Sequence, residues 1–498
     1  MKMRAAFALL AALAVAVLSG PVRAYDPATT HAGLTERAVL ASSLHRVLAR
    51  RLGRPLGLFE PIVLNLDHLA LDEARSFERR LATLDPASGC RPAADGSASA
   101  LAWVVAGAIV AATPAERGQH FFYDPARGSG LANAGGMGQI GQGLRQLVDS
   151  GGGGIRGLAT GTSFNLTGRP STEWLTAPDN DVGLVAFYRE LEASVTGEDP
   201  HRRSTALARA LLALGGSLAV LEDAGEPAHV RNDFRGAFLA NEGSGPFDRG
   251  SAFEQFVANA YGRAGVPAAT APVIRPTVLA YITAADGQGL ADRTQRRFFS
   301  AGSLPTEAIV DRDTTAAEVM QDARASLPYA YPRLPHLELR PMGKREYVYA
   351  LEGIGNPSGE SATKPSRRRL LAYERVPGRV RFFLDRRVYD DSARVLLPEI
   401  GAYAAGLVDH LFRAEIHLEA QPGSVTVSVG GAHGDVRGGE VRLFGQDAAG
   451  RRRQIATVPA SATPVSAVVP AWTRRIAAVL RGTDEAGELV AVTETPAH

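Results

Sequence analysis

The fold class this sequence predicts is a mainly α-helical body followed by a small C-terminal β-sandwich. Three observations carry that reading. Apolar residues recur at helical spacing through much of the chain up to about residue 335. Beyond that point short alternating runs take over, separated by Gly and Asp turns, with one long helix, Ser392 to Phe412, among them. The chain has 498 residues, enough to bury a large core in two or three domains.

The first 24 residues read as a leader. Lys2 and Arg4 give a basic start, Ala5 to Leu18 is an unbroken apolar run, and Val22-Arg-Ala24 places small residues at a cleavage position. That run is shorter than the roughly 20 residues a membrane-spanning helix needs. Export with cleavage after Ala24 is therefore expected, to a secreted or periplasmic location, with Tyr25 as the new first residue. No later segment reads as long and apolar enough to span a membrane; Ala100 to Ala112 comes closest and reads as a buried helix.

Helical spacing then marks Leu34 to Leu52, Leu64 to Leu84, Ala100 to Ala112, Val182 to Thr196, Ser204 to Ala224 and Phe253 to Ala264. Asp85 to Ser97 reads as a loop, and Gly128 to Pro170 is a long glycine-rich stretch. Tyr347 to Leu351 and Val380 to Leu384 read as strands, as do Ser424 to Val429, Glu440 to Phe444, Ala477 to Arg481 and Leu489 to Thr493. The expected division is a leader over 1–24, a helical domain over 25–412 with β elements around 345–385, and a β-sandwich-like domain over 413–498. The basic runs 367–369 and 451–453 read as solvated turns.

A net charge of +2 gives no specific signal for nucleic acid or for an anionic membrane. The single cysteine, Cys90, excludes an internal disulfide and a cysteine-rich metal site, so any metal must use His, Asp, Glu and backbone groups. His31 precedes a helix, where histidine is ordinarily a cap or a surface residue. His120 precedes an aromatic cluster, where packing on Phe and Tyr is the ordinary role. Asp223 is more informative. It lies at the C-terminal end of a strongly apolar helix that Gly225 and Pro227 stop, and a carboxylate there meets the negative end of the helix dipole unless a cation stands nearby. His229 follows in the next turn, and Glu254 sits in Ala252-Phe-Glu-Gln-Phe-Val257.

Four runs occur in one order: Thr30-His-Ala-Gly-Leu-Thr-Glu-Arg-Ala38; Gly107-Ala108 with Thr113-Pro114 and His120-Phe-Phe-Tyr-Asp-Pro125; Leu214-Gly215 with Asp223-Ala-Gly-Glu-Pro-Ala-His-Val-Arg-Asn-Asp233; and Phe253-Glu-Gln-Phe-Val257. With Asn165 to Trp174 and Leu396 to Asp409, they resemble bacterial members of the zinc-dependent phospholipase C superfamily, which also holds the single-strand-specific nucleases. The resemblance spans roughly residues 25 to 412. It implies zinc ions, up to three, that polarise phosphoryl oxygens and supply hydroxide. It implies Tyr25 (through its amine and carbonyl), His31 and the bridging Asp223 at one site, His120 and Asp223 at a second, and His229 and Glu254 at a third. Asp223 is the candidate catalytic residue.

Departures from the family pattern are equally specific. Its paired acidic residues read Ala111 and Ala112 here, its helical His reads Ala219, and a second His of the third site reads Gly250, with Asp248 as a nearby substitute. One zinc position is expected to survive, at Tyr25, His31 and Asp223, with weak or absent hydrolysis. The alternative is an active phosphodiester hydrolase using a reduced metal set, with a phosphodiester or a lipid head group as substrate. The C-terminal domain is a candidate for membrane or protein contact.

Overall fold

The computed structural model describes residues 27–113, 115–131, 168–233, 251–335, 341–350, 368–431 and 436–497. The leader, Tyr25, Asn165, Asp248, Gly250 and most of the glycine-rich stretch lie outside them. The chain opens with a wide turn, Pro27–His31, that runs into α1 (Ala32–Ala41). The single helix expected over Leu34 to Leu52 is two: Ser42 turns extended and α2 (Leu44–Arg51) starts anew. Within Leu64 to Leu84 the chain makes a short 3-10 turn, Leu66–His68, and then α3 (Leu71–Leu81), while the chain ahead of them pairs as strand β1 (Pro61–Val63) with β2 (Ser97–Ser99).

Two apolar helices form the centre of the body, α4 (Ala100–Val110) and, beyond the short α5 (Ser171–Leu175) and α6 (Leu184–Thr196), α7 (Pro200–Glu222). Asp199 caps α7 by accepting from the His201 N–H, and Pro200 occupies its first turn. The sequence pattern places no membrane-length helix after the leader, yet Pro200–Gly225 is long and apolar enough by length and composition. In this fold 89% of its most apolar window is buried, as in a core helix. Glycine sets how closely α4 and α7 approach. A Cβ on Gly107 would stand 2.0 Å from the Leu212 carbonyl oxygen, and one on Gly215 1.8 Å from that of Val104. Backbone therefore lies against backbone, and these two glycines are steric requirements.

The next helices are α8 (Ala252–Ala260), α9 (Val278–Ile282), α10 (Leu290–Arg297) and α11 (Ala316–Ala325). A four-stranded antiparallel sheet follows, β3 (Ala308–Ile309), β4 (Arg345–Tyr349), β5 (Arg369–Val376) and β6 (Arg379–Phe383), in the order β3-β6-β5-β4. It shares a small apolar cluster with α11 and Phe299. The long α12 (Arg386–Leu411) returns into the main core beside α7 and carries Pro398 within it.

The C-terminal part is wholly antiparallel. Strands β7 (Glu415–Gln421), β8 (Ser424–Gly430) and β11 (Val465–Val468) form one sheet. Strands β9 (Arg437–Gln446), β10 (Arg452–Pro459), β12 (Arg475–Asp484) and β13 (Gly487–Pro496) form the other. Alternation along the strands divides their side chains. Val427, Leu443, Ile476 and Leu489 join an apolar cluster common to the two sheets, while Phe444, Ala477, Val479 and Val490 belong to the core of the helical body. Arg413, just after α12, ties the layers with a buried two-point pair to Asp484, both contacts 2.8 Å.

The same alternation corrects the solvated-turn reading of the basic runs in part: Arg451 and Arg453 are exposed beside a turn, while other members are buried. Arg452 is buried, pairs with Glu494 at 2.6 Å and donates to the Val195 carbonyl. Arg368 is buried over the Phe298 ring, and Arg369 pairs with Asp391.

Replacing Gly215 by valine should force α4 and α7 apart at a backbone contact. The expected loss is about 3 kcal/mol, the upper end of ordinary overpacking, read as a lower urea midpoint. An unchanged midpoint would refute the close approach.

Candidate metal centre

The C-terminal end of α7 gathers acid. Glu222 is its last residue, Asp223 caps it, and a single tight turn, Asp223–Gly225, leads to Glu226 and Pro227. Gly225 lets this turn press on α12, since a Cβ there would stand 2.2 Å from the Ile400 side chain. A second turn, His229–Arg231, then ends at Asn232 in the left-handed conformation, φ 48°. Asn232 is held there by its side-chain amide, which donates to the Ser129 carbonyl at 2.9 Å. Arg231 is buried and donates to the carbonyls of Pro227 and Gln295, while Asp233 accepts from the Gly302 N–H. The block Pro227 to Asp233 is thus a frame whose polar members hold the His229 turn in place.

Of the residues picked from sequence, the structure brings His31, Asp223, His229 and Glu254 together. His31 Nε2 lies 3.4 Å from Asp223 Oδ1, His229 Nδ1 lies 3.9 Å from the same oxygen, and His229 Nε2 lies 3.5 Å from Glu254 Oε1. All four are buried. Neither oxygen of Asp223, neither ring nitrogen of His229, nor Glu254 Oε1 has a hydrogen-bond partner among the described residues. Buried polar atoms are nearly always satisfied, so this set of donor atoms fits a cation that several of them share.

His120 is placed elsewhere. Its ring stacks on Trp174, centroids 4.1 Å apart, and its Nδ1 accepts from the Arg169 N–H at 2.9 Å. Burial, with Arg169 and Arg117 beside it, lowers it to about 4. What its motif supplies to the centre is Phe122, stacked on the His229 ring at 4.0 Å. The motif's Asp124 accepts from Gln295 and from the Tyr329 hydroxyl. Tyr25 lies outside the described residues, so the site expected at the mature N-terminus is represented by His31 and Asp223 alone.

Two residues escaped the sequence reading. Glu222 places Oε2 2.6 Å from His31 Nδ1, and its other oxygen accepts from the Thr35 hydroxyl at 2.7 Å. A carboxylate on one ring nitrogen orients the other, and here the other faces Asp223. Glu226 is buried, and with His229 and Glu254 it offers ligand atoms that all lie within 4.8 Å of one another. This buried group can hold a metal ion. The only sequence signal for either residue was a glutamate inside an otherwise apolar or turn-forming stretch.

The electrostatics follow from four carboxylates and two imidazoles in a dry setting. Burial would lower His31, but Asp223 and Glu222 outweigh it and raise the ring to about 10. Burial raises Glu222 and, against hydrogen bonds from Ser251 and backbone N–H groups, lifts Glu226 to about 8. It also drives Glu254 far upward, with Glu226 and Asp223 adding to the push. His229 is held down at about 4, chiefly by burial. Without a metal, protons neutralise the cluster; a divalent cation can do so in their place. All donors are oxygen or imidazole nitrogen, since Cys90 stands apart against Arg263.

Two outcomes are expected. Glu222→Gln should weaken metal binding about 10- to 100-fold, as loss of an orienting carboxylate does elsewhere, measurable by calorimetric titration; unchanged affinity would remove Glu222 from the centre. In chelator-treated protein, His31 keeps its proton to about 10 and Glu226 to about 8, against unfolded values of 6.5 and 4.5. Folding then takes up protons through Glu226 between about pH 4.5 and 8 and through His31 between about 6.5 and 10, so stability falls as pH rises from about 6.5 to about 10. His229 acts only below its unfolded value of 6.5. Denaturant midpoints should show this decline, and saturating metal should abolish it; a flat metal-free profile would contradict the burial. No family model, curated protein or solved structure matches this chain, and the side chains of this centre are what bears on its function.

Proposed function

We propose that this chain is an exported zinc-binding protein of the phospholipase C and single-strand nuclease type, with weak or absent hydrolysis. One observation carries the reading: His31, Asp223, His229 and Glu254, drawn from three distant parts of the sequence, meet at the end of α7, and the oxygens of Asp223, the ring nitrogens of His229 and Glu254 Oε1 are buried with no hydrogen-bond partner among the described residues. In this reading His31 and Asp223 hold zinc on one side, His229 and Glu254 on the other, with Asp223 between the two imidazoles. Bound zinc would polarise a phosphoryl oxygen and acidify a coordinated water.

The residues around the cluster support weak rather than efficient turnover. Ala219 lies one helical turn before Asp223 and is fully buried, and Ala111 is buried at the end of α4. Ala112, next in the chain, is partly buried. Methyl groups at these positions offer no ligand and no general base. His120, whose donor atom the resemblance assigns to zinc, is occupied by Trp174 and the Arg169 N–H. The surviving set can retain an ion while leaving fewer groups to activate water. The paired C-terminal sheets, with their common apolar cluster, are read as the accessory β-sandwich.

The test measures zinc content by mass spectrometry together with turnover of a generic phosphodiester and of phosphatidylcholine vesicles. At least about one zinc per chain, lost in Asp223→Ala, is expected, with little or no turnover. Zinc-dependent turnover that vanishes in Asp223→Ala would replace this reading with that of an active hydrolase. A chain that binds no zinc would sink the metal reading altogether.

A further inference from the structure

We propose that Glu226 is a metal ligand and that Ser251 positions it. The inference rests on the metal-binding reading above. By that resemblance the third site needs two imidazoles and one carboxylate, and the sequence supplies His229 and Glu254 but no second imidazole four residues before Glu254. Glu226 lies beside these two in the fold. Its carboxylate, an imidazole nitrogen of His229 and a carboxylate oxygen of Glu254 lie within 4.8 Å of one another, all buried.

The orientation of the three side chains is set by a shared device. Ser251 caps α8, accepting from the Glu254 N–H at 3.1 Å, and Glu254 closes the capping box by accepting from the Ser251 N–H at 2.5 Å. The Ser251 hydroxyl also donates to Glu226 Oε1 at 2.8 Å. One serine therefore holds one oxygen of each carboxylate. The second oxygen of Glu254, Oε1, accepts no hydrogen bond from a described residue and faces His229 Nε2 at 3.5 Å. Glu226 Oε2 accepts from the His229 N–H at 2.7 Å, which fastens it to the same turn that presents the imidazole. Each carboxylate oxygen has two lone pairs, so Glu226 keeps capacity for an ion. A small cavity lined by Glu226, Ser251, Phe253, Ser300 and Tyr389 adjoins the pair.

The donor set is oxygen-rich. Two carboxylates and one imidazole suit a divalent first-row ion of the zinc, manganese or iron class, and tolerate harder ions better than an imidazole pair does. Metal occupancy and the capping of α8 then become one event, because Glu254 serves both.

The experiment titrates the mature chain and its variants with zinc(II) by calorimetry and with cobalt(II) by visible absorption. Glu226→Gln keeps the shape and a hydrogen-bond acceptor but removes the charge; zinc affinity at this position should fall at least about 100-fold and the cobalt bands should change. Ser251→Ala, which keeps every ligand, should weaken binding about 10-fold and Ser251→Thr should restore it, since threonine also caps and donates. Wild-type affinity and wild-type cobalt bands in Glu226→Gln would overturn the inference while leaving the zinc protein standing. No binding by the wild-type chain would instead defeat the metal reading itself. Should Glu226→Gln fail to fold, unchanged affinity in Ser251→Ala overturns the proposal.

Discussion

Four buried carboxylates at the end of one apolar helix are the constraint around which this fold is arranged. A carboxylate removed from water costs several kcal/mol unless it is paired or protonated, and the α7 dipole adds to the cost at that end. In a core of alanine, leucine and valine, part of the relief comes from Thr35 on Glu222 and from Ser251 and the His229 N–H on Glu226. The rest comes from His31, and from protons or a cation taken up by the cluster. The helical body keeps these groups together by backbone approach: Gly107 and Gly215 let α4 and α7 touch, and Gly225 lets the turn after Asp223 press on Ile400.

The polar residues nearest the cluster divide into those that face it and those that hold it. Arg231, Asn232 and Asp233 are buried, yet their polar groups go to carbonyls and N–H groups of Pro227, Gln295, Ser129 and Gly302. They spend their hydrogen bonds on a turn and so leave the His229 ring nitrogens uncommitted. Glu222 and Ser251 hold from closer in. Each fixes one end of a group whose other end points at its neighbours: Glu222 on His31, Ser251 on Glu226 and Glu254. A centre supported this way can lose a ligand to mutation and keep its shape, because the frame does not depend on the missing side chain.

Much of this was legible in the sequence, and the failures have physical reasons. Helix existence came through wherever apolar spacing was sustained, as at α4, α6, α7 and α12. It failed for Leu34 to Leu52, where the local bend at Ser42 breaks a periodic pattern. It failed also for the start of Leu64 to Leu84, where the chain leaves a strand paired with Ser97 to Ser99 and makes only a short 3-10 turn before α3. Short α9, α10 and α11 carry too few apolar repeats to register. His31, Asp223, His229 and Glu254 stood out in the sequence and lie together in the fold, each beside a helix terminus with a definite register. His120 was misplaced by its neighbours: the aromatic run does reach the cluster, but through Phe122, while His120 falls on the Trp174 side. Glu222 and Glu226 were invisible for a different reason. A glutamate in sequence looks solvent-bound by default, and only tertiary packing reveals that both are sealed in.

That last point bears on how the centre is to be understood. Judged by the ligands a family pattern demands, the alanines at 111, 112 and 219 and the glycine at 250 describe a site being dismantled. The arrangement of the remaining side chains is less consistent with decay. A site relieved of its metal would be expected to shed buried charge, since each unpaired carboxylate works against folding. This chain instead buries Asp223, Glu226 and Glu254 together, with Ser251 and the His229 N–H placed to hold Glu226. Retaining that much negative charge in a dry core makes physical sense where a cation balances it. Glu226 and Glu254 outnumber the one imidazole grouped with them, so the donors there are mainly oxygen. Carboxylates buried together and oriented by Ser251 and by the His229 N–H are the arrangement that an oxygen-rich cation site requires.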